Sequence, residues 1–191
     1  LRNMNTLDGG NIQWMKDEGF DNQQLLPYCY PTPAEFDEHN VQIVYLGWFL
    51  GDWSMLNNGA ISALTGIRYR VDEAKNTSDL YGVSSLDEDW VTVNNMLRYL
   101  KYGWGTTTDY VNEMIRLGTI SRAEAIVLVE KYDGACSDHY IEAFSNYIEI
   151  SVDLFWEKAL EVANRDLFEV IGARKIQPKF EVGVGITTYG K

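Results

Sequence analysis

Apolar residues recur at helical spacing over most of the second half of the chain. One set, spaced i, i+3, i+4 and i+7, predicts a single apolar face on a helix before residue 103. The set consists of Val93, Met96, Leu97 and Leu100. Residues 34–177 contain no proline, and residues 135–171 contain neither proline nor glycine, which favours long helical stretches there.

Capping residues mark where further helices begin and end. Ser121 and Glu124 have the spacing of a capping box in front of a run of apolar residues. Gly134 follows that run, in the position of a glycine that ends a helix. Ser137 is a candidate N-cap for the next helix, whose apolar residues continue to Ile148. Together these signals predict two consecutive helices.

The last predicted helix and the sheet elements carry less distinct signals. Ser151 is a candidate N-cap, and the apolar positions after it keep the helical period as far as Val170. Residues 179–186 alternate apolar and polar, which indicates a short strand or an ordered tail. Residues 41–47 are β-branched, aromatic and nearly all apolar, which predicts a strand buried on both faces, although the start of a buried helix has a similar pattern.

These elements predict a mainly α fold with a division near residue 40. Residues 1–40 hold turn formers and three of the four prolines, and we interpret them as an irregular connector. Residues 41–191 form the predicted helical domain. Since no second convincing strand precedes the C-terminal tail, we expect the strand at 41–47 to complete a sheet supplied from elsewhere. An exposed strand edge there would favour self-association, so a homo-oligomer is possible.

Composition excludes several classes of function. The 191 residues carry 28 acidic and 16 basic side chains, a formal charge of −12, which argues against a surface for nucleic acid or anionic membrane. The longest apolar run, 41–50, is too short to span a bilayer. Two cysteines and two histidines predict no disulfide framework and no metal site. We therefore expect a reducing, cytoplasmic compartment.

Candidate chemistry concentrates in residues 98–118. Gly103 and Gly105 flank Trp104, and threonines follow directly. Backbone N–H groups and threonine hydroxyls at the start of a helix can hold phosphate or carboxylate oxygens. Polar and charged side chains follow helical spacing on both sides of this turn, and they complete the candidate binding set. That set is Arg98, Lys101, Gly103, Gly105, Thr108, Asp109, Asn112, Glu113 and Arg116.

An ordinary structural interpretation of the same residues stands beside the functional one. A corner between two helices often carries glycines, Asp109 or Thr108 is a common N-cap, and a polar stripe is usually a solvated face. Asp109 and Glu113 are like charges at i, i+4, so we expect Arg98 or Lys101 to compensate across the turn. No catalytic residue is assigned.

Three long segments in order resemble one family. They are YLGWFLGDWSMLNN at 45–58, NNMLRYLKYGWGTTTDYVNEMIRLGTISRAEAIVLVEKYDG at 94–134, and YIEAFSNYIEIS with DLFWE at 140–157. Together they are similar to the C-terminal half of the N-acetyl sugar amidotransferases, enzymes of pseudaminic acid and lipopolysaccharide sugar biosynthesis in bacteria. The resemblance covers most of residues 40–186.

The resemblance implies a PP-loop ATPase whose Rossmann-like N-terminal half holds an SGGKDS-type loop. ATP, with Mg²⁺, would activate the acetamido oxygen of an N-acetyl sugar, and ammonia would replace that oxygen to leave an acetamidino group. A class I glutaminase subunit would supply the ammonia, and a cyclase-like subunit is a possible further partner. The present chain has no SGGKDS loop, so we expect it to be inactive alone, as a C-terminal portion of such an enzyme.

The resemblance also suggests roles for the candidate residues. Lys101 and Arg116 would face a nucleotide phosphate or a sugar carboxylate, while Asp109, Asn112 and Glu113 would order the site. Arg122 matches the family motif as well. The alternative function is a helical module without catalysis that binds a partner or a glycan, for which the candidate residues are Trp48, Trp53 and Trp104.

Overall fold

The computed structural model describes residues 12–29, 31–40, 42 and 44–186. The chain divides into two compact units, Leu1–Gly51 and Asp52–Lys191, which are described separately. Helices account for most of the regular structure in the described residues, and this confirms the predicted mainly α class.

The first unit contains short helical segments rather than continuous irregular chain. Its helices are α1 (Gln13–Asp17), α2 (Asn22–Leu25) and α3 (Pro33–Glu38), with 3₁₀ turns at Leu26–Tyr28 and Leu46–Trp48. Capping boxes start two of them, because Asp21 and Thr32 each accept a backbone N–H at the helix start while Gln24 and Glu35 return the bond. These capping boxes satisfy backbone N–H groups at the start of helices of four and six residues.

The strand predicted at 41–47 is wrong for the part of that segment the structure describes. Residues 41 and 43 lie outside the described residues, 42, 44 and 45 belong to no strand, and Leu46–Trp48 form the 3₁₀ turn. Val44 is 58% exposed and Leu46 is 71% exposed. A strand needs a neighbour for its backbone N–H and C=O groups, and the described part of this unit offers none.

The second unit holds the remaining helices and two small antiparallel sheets. The helices are α4 (Met55–Leu64), α5 (Ala74–Thr77), α6 (Trp90–Tyr102), α7 (Thr106–Arg116), α8 (Arg122–Tyr132), α9 (Asp138–Tyr147) and α10 (Val152–Glu161). The strands are β1 (Phe168–Gly172), β2 (Lys175–Pro178), β3 (Phe180–Glu181) and β4 (Gly185–Ile186). Strand β1 pairs with β2, and β3 pairs with β4.

The hydrophobic core lies where α6, α9 and α10 meet. The predicted apolar face of α6 is confirmed, since Val93, Met96 and Leu100 are almost completely buried and Leu97 packs against them. Their partners on the other two helices include Ile141, Phe155 and Ala159. Helices α7 and α8 pack beside each other, with Tyr110, Val111 and Ala125 buried.

The predicted helix boundaries are mostly confirmed. Ser121 and Glu124 form the capping box of α8, with the Ser121 N–H donating to Glu124 Oε2 at 2.8 Å. Gly134 follows that helix with φ +76°. Ser151 caps α10 by accepting a backbone N–H, whereas Ser137 occupies the N-cap position of α9 without such a side-chain bond.

The predicted continuation of the last helix to Val170 is wrong, because α10 ends at Glu161 and Val170 lies in β1. Three residues after the helix ends, the chain turns at Asn164, whose side chain accepts the N–H of Asp166 at 2.9 Å in an Asx turn. The Asn164 backbone N–H donates to Leu100 O at 2.9 Å, which ties the turn to α6. The short C-terminal strand predicted within 179–186 is confirmed by β3 and β4.

No helix of the described residues is long and apolar enough to cross a membrane.

Candidate functional site

Two glycines form the corner between α6 and α7, as their spacing predicts. Gly103 ends α6 with φ +77°, and its N–H donates to Tyr99 O at 2.8 Å. Gly105 has an extended backbone, and it is needed for space, because a Cβ there would lie 2.8 Å from Asp133 Oδ1. The two glycines therefore serve different purposes, one a left-handed turn and the other a close approach.

Asp133 caps α7 from a distant part of the chain. Its carboxylate accepts the Gly105 N–H at 2.8 Å, the Thr108 N–H at 3.2 Å and the Thr108 hydroxyl at 2.7 Å. Neither Asp109 nor Thr108 is the N-cap residue, since α7 begins at Thr106. A carboxylate at a helix N-terminus satisfies free N–H groups and complements the helix dipole.

This arrangement uses the groups that the sequence suggested for anion binding. The N–H groups of Gly105 and Thr108 and the Thr108 hydroxyl all point to the Asp133 carboxylate. A phosphate at the same place would have to displace a negative charge that is already hydrogen-bonded. The N-terminus of α7 therefore does not fit a nucleotide phosphate.

Arg98 links the two helices on the other side of the corner. Its guanidinium lies 2.7 Å from Asp109 Oδ2, and its Cζ lies 4.5 Å from the centroid of the Trp104 ring. Arg98, rather than Lys101, is thus the cation that compensates Asp109. The Arg98 guanidinium thus makes a cation–π contact with Trp104 and also neutralises the Asp109 carboxylate.

Of the remaining predicted residues, three are exposed and one is partly buried. Lys101 and Arg116 are exposed. Glu113 is partly buried and accepts the Met55 N–H at 2.9 Å, which anchors the start of α4. Asn112 is exposed and lines the cavity described next. Whether these residues bind substrate or nucleotide stays a prediction.

A cavity of about 450 Å³ opens beside the corner. Its volume lies within the usual range for small-molecule sites, about 300–1,000 Å³. Gly103, Thr108 and Asn112 from the predicted set line it, and Trp104 and Arg122 join them. The other lining residues are mainly apolar: Tyr102, Val111, Ile115, Ala125, Ile126, Val129, Leu167, Phe180, Glu181, Val182, Gly183, Val184 and Gly185.

The hairpin formed by β3 and β4 is one wall of this cavity and is tied firmly to α8. The Arg122 guanidinium donates to Gly183 O at 2.6 Å. A Cβ at Gly183, which has φ +81°, would lie 2.6 Å from Ile126 Cδ1. The close packing of the hairpin on the helix defines the cavity wall before any ligand binds.

Buried titratable groups near the corner are poor candidates for chemistry at neutral pH. Burial, with the Asp133 carboxylate nearby, raises the pKa of Tyr99 to about 12. Burial, with the neighbouring Asp138, raises the pKa of the Cys136 thiol to about 12 as well. A thiol with a raised pKa is not an activated nucleophile. Among the described residues, no group of three His, Cys, Asp or Glu side chains is placed to hold a metal ion.

The chain belongs to the family of LPS biosynthesis protein WbpG-like, C-terminal domain, whose model matches residues 68–177. A comparison with curated proteins returned no match. The matched range contains the whole corner and most of the cavity wall, whereas the hairpin wall at 180–185 lies beyond it.

Two parts of the site were missed by sequence reasoning. Asp133 and the hairpin at 180–185 both reach the corner through tertiary packing, from 25 or more residues away along the chain. No local sequence pattern marks Asp133 as a cap for α7, because it lies at the end of a different helix, α8. The alternation at 179–186 predicts the strand but not the surface on which it packs.

Proposed function

We propose that this chain is the C-terminal portion of an ATP-dependent amidotransferase of bacterial lipopolysaccharide sugar biosynthesis. The reaction would convert the acetamido group of an N-acetyl sugar into an acetamidino group with ammonia from a glutaminase partner. Membership of the WbpG-like family supports the role in lipopolysaccharide biosynthesis. The amidotransferase reaction rests on the resemblance of residues 94–134 to that family of enzymes.

The single observation that carries the proposal in this chain is the cavity beside the α6–α7 corner. Most of its lining lies in the longest stretch of resemblance, 94–134, and three of the nine predicted site residues line it, namely Gly103, Thr108 and Asn112. Its mainly apolar wall with a few polar groups is typical of a site for a small organic molecule.

ATP and Mg²⁺ belong, in this proposal, to a nucleotide-binding half outside the present chain. Asp133 holds the N–H groups at the start of α7, and this corner therefore does not fit a triphosphate. When bound elsewhere in the enzyme, ATP supplies the activation that an amide oxygen needs to become a leaving group. The present residues would bind and orient the sugar.

A second candidate function is a non-catalytic module that binds a partner or a glycan. The observation in its favour is the exposure of aromatic side chains, since Trp48 is 87% exposed, Trp53 is 62% exposed and Trp104 is 42% exposed. Exposed tryptophans are common in interaction surfaces. This function needs neither ATP nor ammonia.

Reconstitution of the complete protein distinguishes the two functions. We expect a protein that joins this chain to an SGGKDS-containing half to release AMP and form an acetamidine when given ATP, an N-acetyl sugar and a glutaminase with glutamine. The isolated chain should do neither. Failure of the complete protein to form AMP with any N-acetyl sugar would contradict the enzymatic proposal and leave the binding module.

The exposed cations allow a more specific test in the same assay. If Lys101 and Arg116 face an anionic group of substrate or nucleotide, Lys101→Ala or Arg116→Ala should lower kcat/KM by about tenfold or more. Lys131→Ala, which removes an exposed lysine near the end of α8, is the control and should have little effect. Normal activity of both test variants would remove these residues from the site.

A further inference from the structure

We propose that the β3–β4 hairpin is a lid over the cavity beside the α6–α7 corner, and that the hydrogen bond from Arg122 to Gly183 is the latch that holds the lid closed. The proposal concerns access to the cavity, so it goes beyond the proposed function and applies to any ligand that the cavity takes. It rests on the difference between the two ends of the hairpin.

The hairpin closes one side of a cavity whose other walls are largely helical. Val111 and Ile115 of α7 line the cavity. Ile126 and Val129 of α8 line it as well, and residues 180–185 complete the lining. Since α7 and α8 pack against each other, displacement of the hairpin opens the cavity without separating these helices.

The base of the hairpin is anchored to the core of the second unit. The Lys179 backbone N–H donates to Leu167 O at 2.8 Å. The ring of Phe180 packs edge-on against the ring of Phe168, with 5.6 Å between the centroids, and Phe168 is completely buried. These contacts fix the point about which the hairpin turns.

The tip of the hairpin is exposed and is held to α8 through Gly183. Residues 183–185 are exposed, and Val184 is 72% exposed. The Arg122 guanidinium donates to Gly183 O at 2.6 Å, and a Cβ at Gly183 would lie 2.6 Å from Ile126 Cδ1. Because Arg122 is itself exposed, water can replace the carbonyl as its partner, and the net free energy of the bond is modest. The tip can therefore detach while the base stays in place.

The hairpin has little internal structure to resist this motion. Its strands pair through two residues each, Phe180 with Ile186 and Glu181 with Gly185. An isolated two-stranded hairpin is only marginally stable in water, so this hairpin depends on its contacts with the rest of the unit. Loss of the latch therefore releases the hairpin locally, at a lower free energy than global unfolding.

Methyl and amide NMR on the 191-residue chain tests the lid. Ile126 contacts the closed tip, Ile115 lines the cavity, and Ile141 lies in the core. We expect relaxation dispersion, which detects opening on the μs–ms timescale, at the Ile126 methyl and the amides of 181–185 but not at Ile141. A soluble nitroxide should broaden the Ile115 methyl more strongly as the open population increases.

Removal of the latch should shift the lid toward its open state. Arg122→Ala should increase the open population by about tenfold, because it removes one charge-assisted hydrogen bond. The capping box of Ser121 and Glu124 is retained, so we expect α8 to form in this variant. Arg68→Ala is the matched control, since Arg68 is exposed and does not line the cavity, and it should leave the open population unchanged.

Gly183→Ala is a second variant, which opens the lid without altering Arg122. Its carbonyl can still accept a hydrogen bond, but the added Cβ has no room against Ile126 in the closed position. Three results would overturn the lid. They are exchange of 181–185 only together with Ile141, an unchanged open population in both variants, and no added nitroxide broadening of Ile115 in either variant.

Discussion

The α6–α7 corner and helix α4 belong to the same unit, yet their side chains differ sharply in burial. At the corner, Thr107 and Tyr110 are completely buried. In α4, no residue is buried, and Ile61 and Leu64 are 56% and 88% exposed. Residues 53–67 contain no charged side chain, so the difference does not come from a more polar sequence in α4.

Polar anchors from distant residues explain the difference. The start of α7 is held by three hydrogen bonds to Asp133, and Thr107 adds a bond from its hydroxyl to Ser78 O at 2.8 Å. The start of α4 has its own cap, Ser54, and one bond from the Met55 N–H to Glu113. Helix α4 is therefore anchored at one end and leaves its apolar residues on the surface.

Among substitutions at the corner, the largest loss of stability is expected at Gly134, which packs against Tyr99 of α6. Gly134 has φ +76°, and a Cβ there would overlap the ring of Tyr99. Gly134→Ala should lower the free energy of unfolding by about 3 kcal/mol, since it combines backbone strain with overpacking. Urea unfolding followed by circular dichroism measures the loss.

Gly118→Ala is the matched control for that substitution. Gly118 has φ +71° with no atom near the added Cβ, so only the backbone strain remains, about 1–2 kcal/mol. Equal losses in the two variants would mean that the contact between Gly134 and Tyr99 adds nothing to the corner.

Removal of the Asp133 carboxylate is expected to have the next largest effect. Asp133→Ala leaves the Gly105 and Thr108 donors without their partner, which should cost about 2–3 kcal/mol in urea unfolding. Glu130→Ala, an exposed acid in the same region of α8, should stay within about 0.5 kcal/mol of the original protein. A similar small effect in both variants would show that the corner does not depend on this cap.

A smaller, pH-dependent effect is expected at Asp72, which anchors the loop before α5 to the core. Burial opposes ionisation of Asp72, but hydrogen bonds from Asn76, Tyr140 and the Glu73 N–H hold its pKa below the ordinary value of 3.8. Since the folded pKa is the lower one, the carboxylate contributes stability that is complete above the unfolded pKa. This contribution is lost as pH falls through the folded value.

Urea unfolding between pH 7 and the acid range tests this with Tyr140→Phe, which removes the hydroxyl that donates to Asp72 Oδ2 at 2.9 Å. We expect the variant to be less stable than the original protein at pH 7, and the difference to shrink below pH 3.8. A difference that is the same at every pH would indicate lost packing rather than a bond to the carboxylate.

The smallest effect on stability is expected in α4. Replacement of both Ile61 and Leu64 by Ser should change the free energy of unfolding by less than about 0.5 kcal/mol each, because neither side chain is buried. Ile141→Ala, which truncates a fully buried side chain of the core, should cost about 2–5 kcal/mol. A large loss from the α4 pair would show that this helix is covered in solution.

Much of the fold could be predicted from local patterns. The apolar face of α6, the capping box at Ser121 and the N-cap at Ser151 depend on residues within a few positions of one another. Periodicity failed at Val170, where an Asx turn intervenes, and in the described part of 41–47, where no described strand of that unit offers a partner. The apolar pattern along the chain does not show whether a side-chain turn or a missing strand partner will override a local preference.

Part of the candidate site could also be predicted, because it depends on local geometry. Gly103, Thr108 and Asn112 line the cavity because the turn and the following helix place them there by local geometry. The Asp133 cap and the hairpin wall needed the packing of α7 against α8 and of the hairpin on α8. Those contacts place the Asp133 carboxylate on the Gly105 and Thr108 donors that the sequence suggested for anion binding.

The sequence by itself determined the helical class, most of the helix boundaries and the location of the corner, because helices depend on short-range hydrogen bonds and caps. The tertiary structure decided which groups at the corner are free, because the Asp133 carboxylate reaches the start of α7 only when α8 packs beside it. Burial, which only the tertiary structure shows, also raises the pKa of the Cys136 thiol from its ordinary value of 9.0 to about 12.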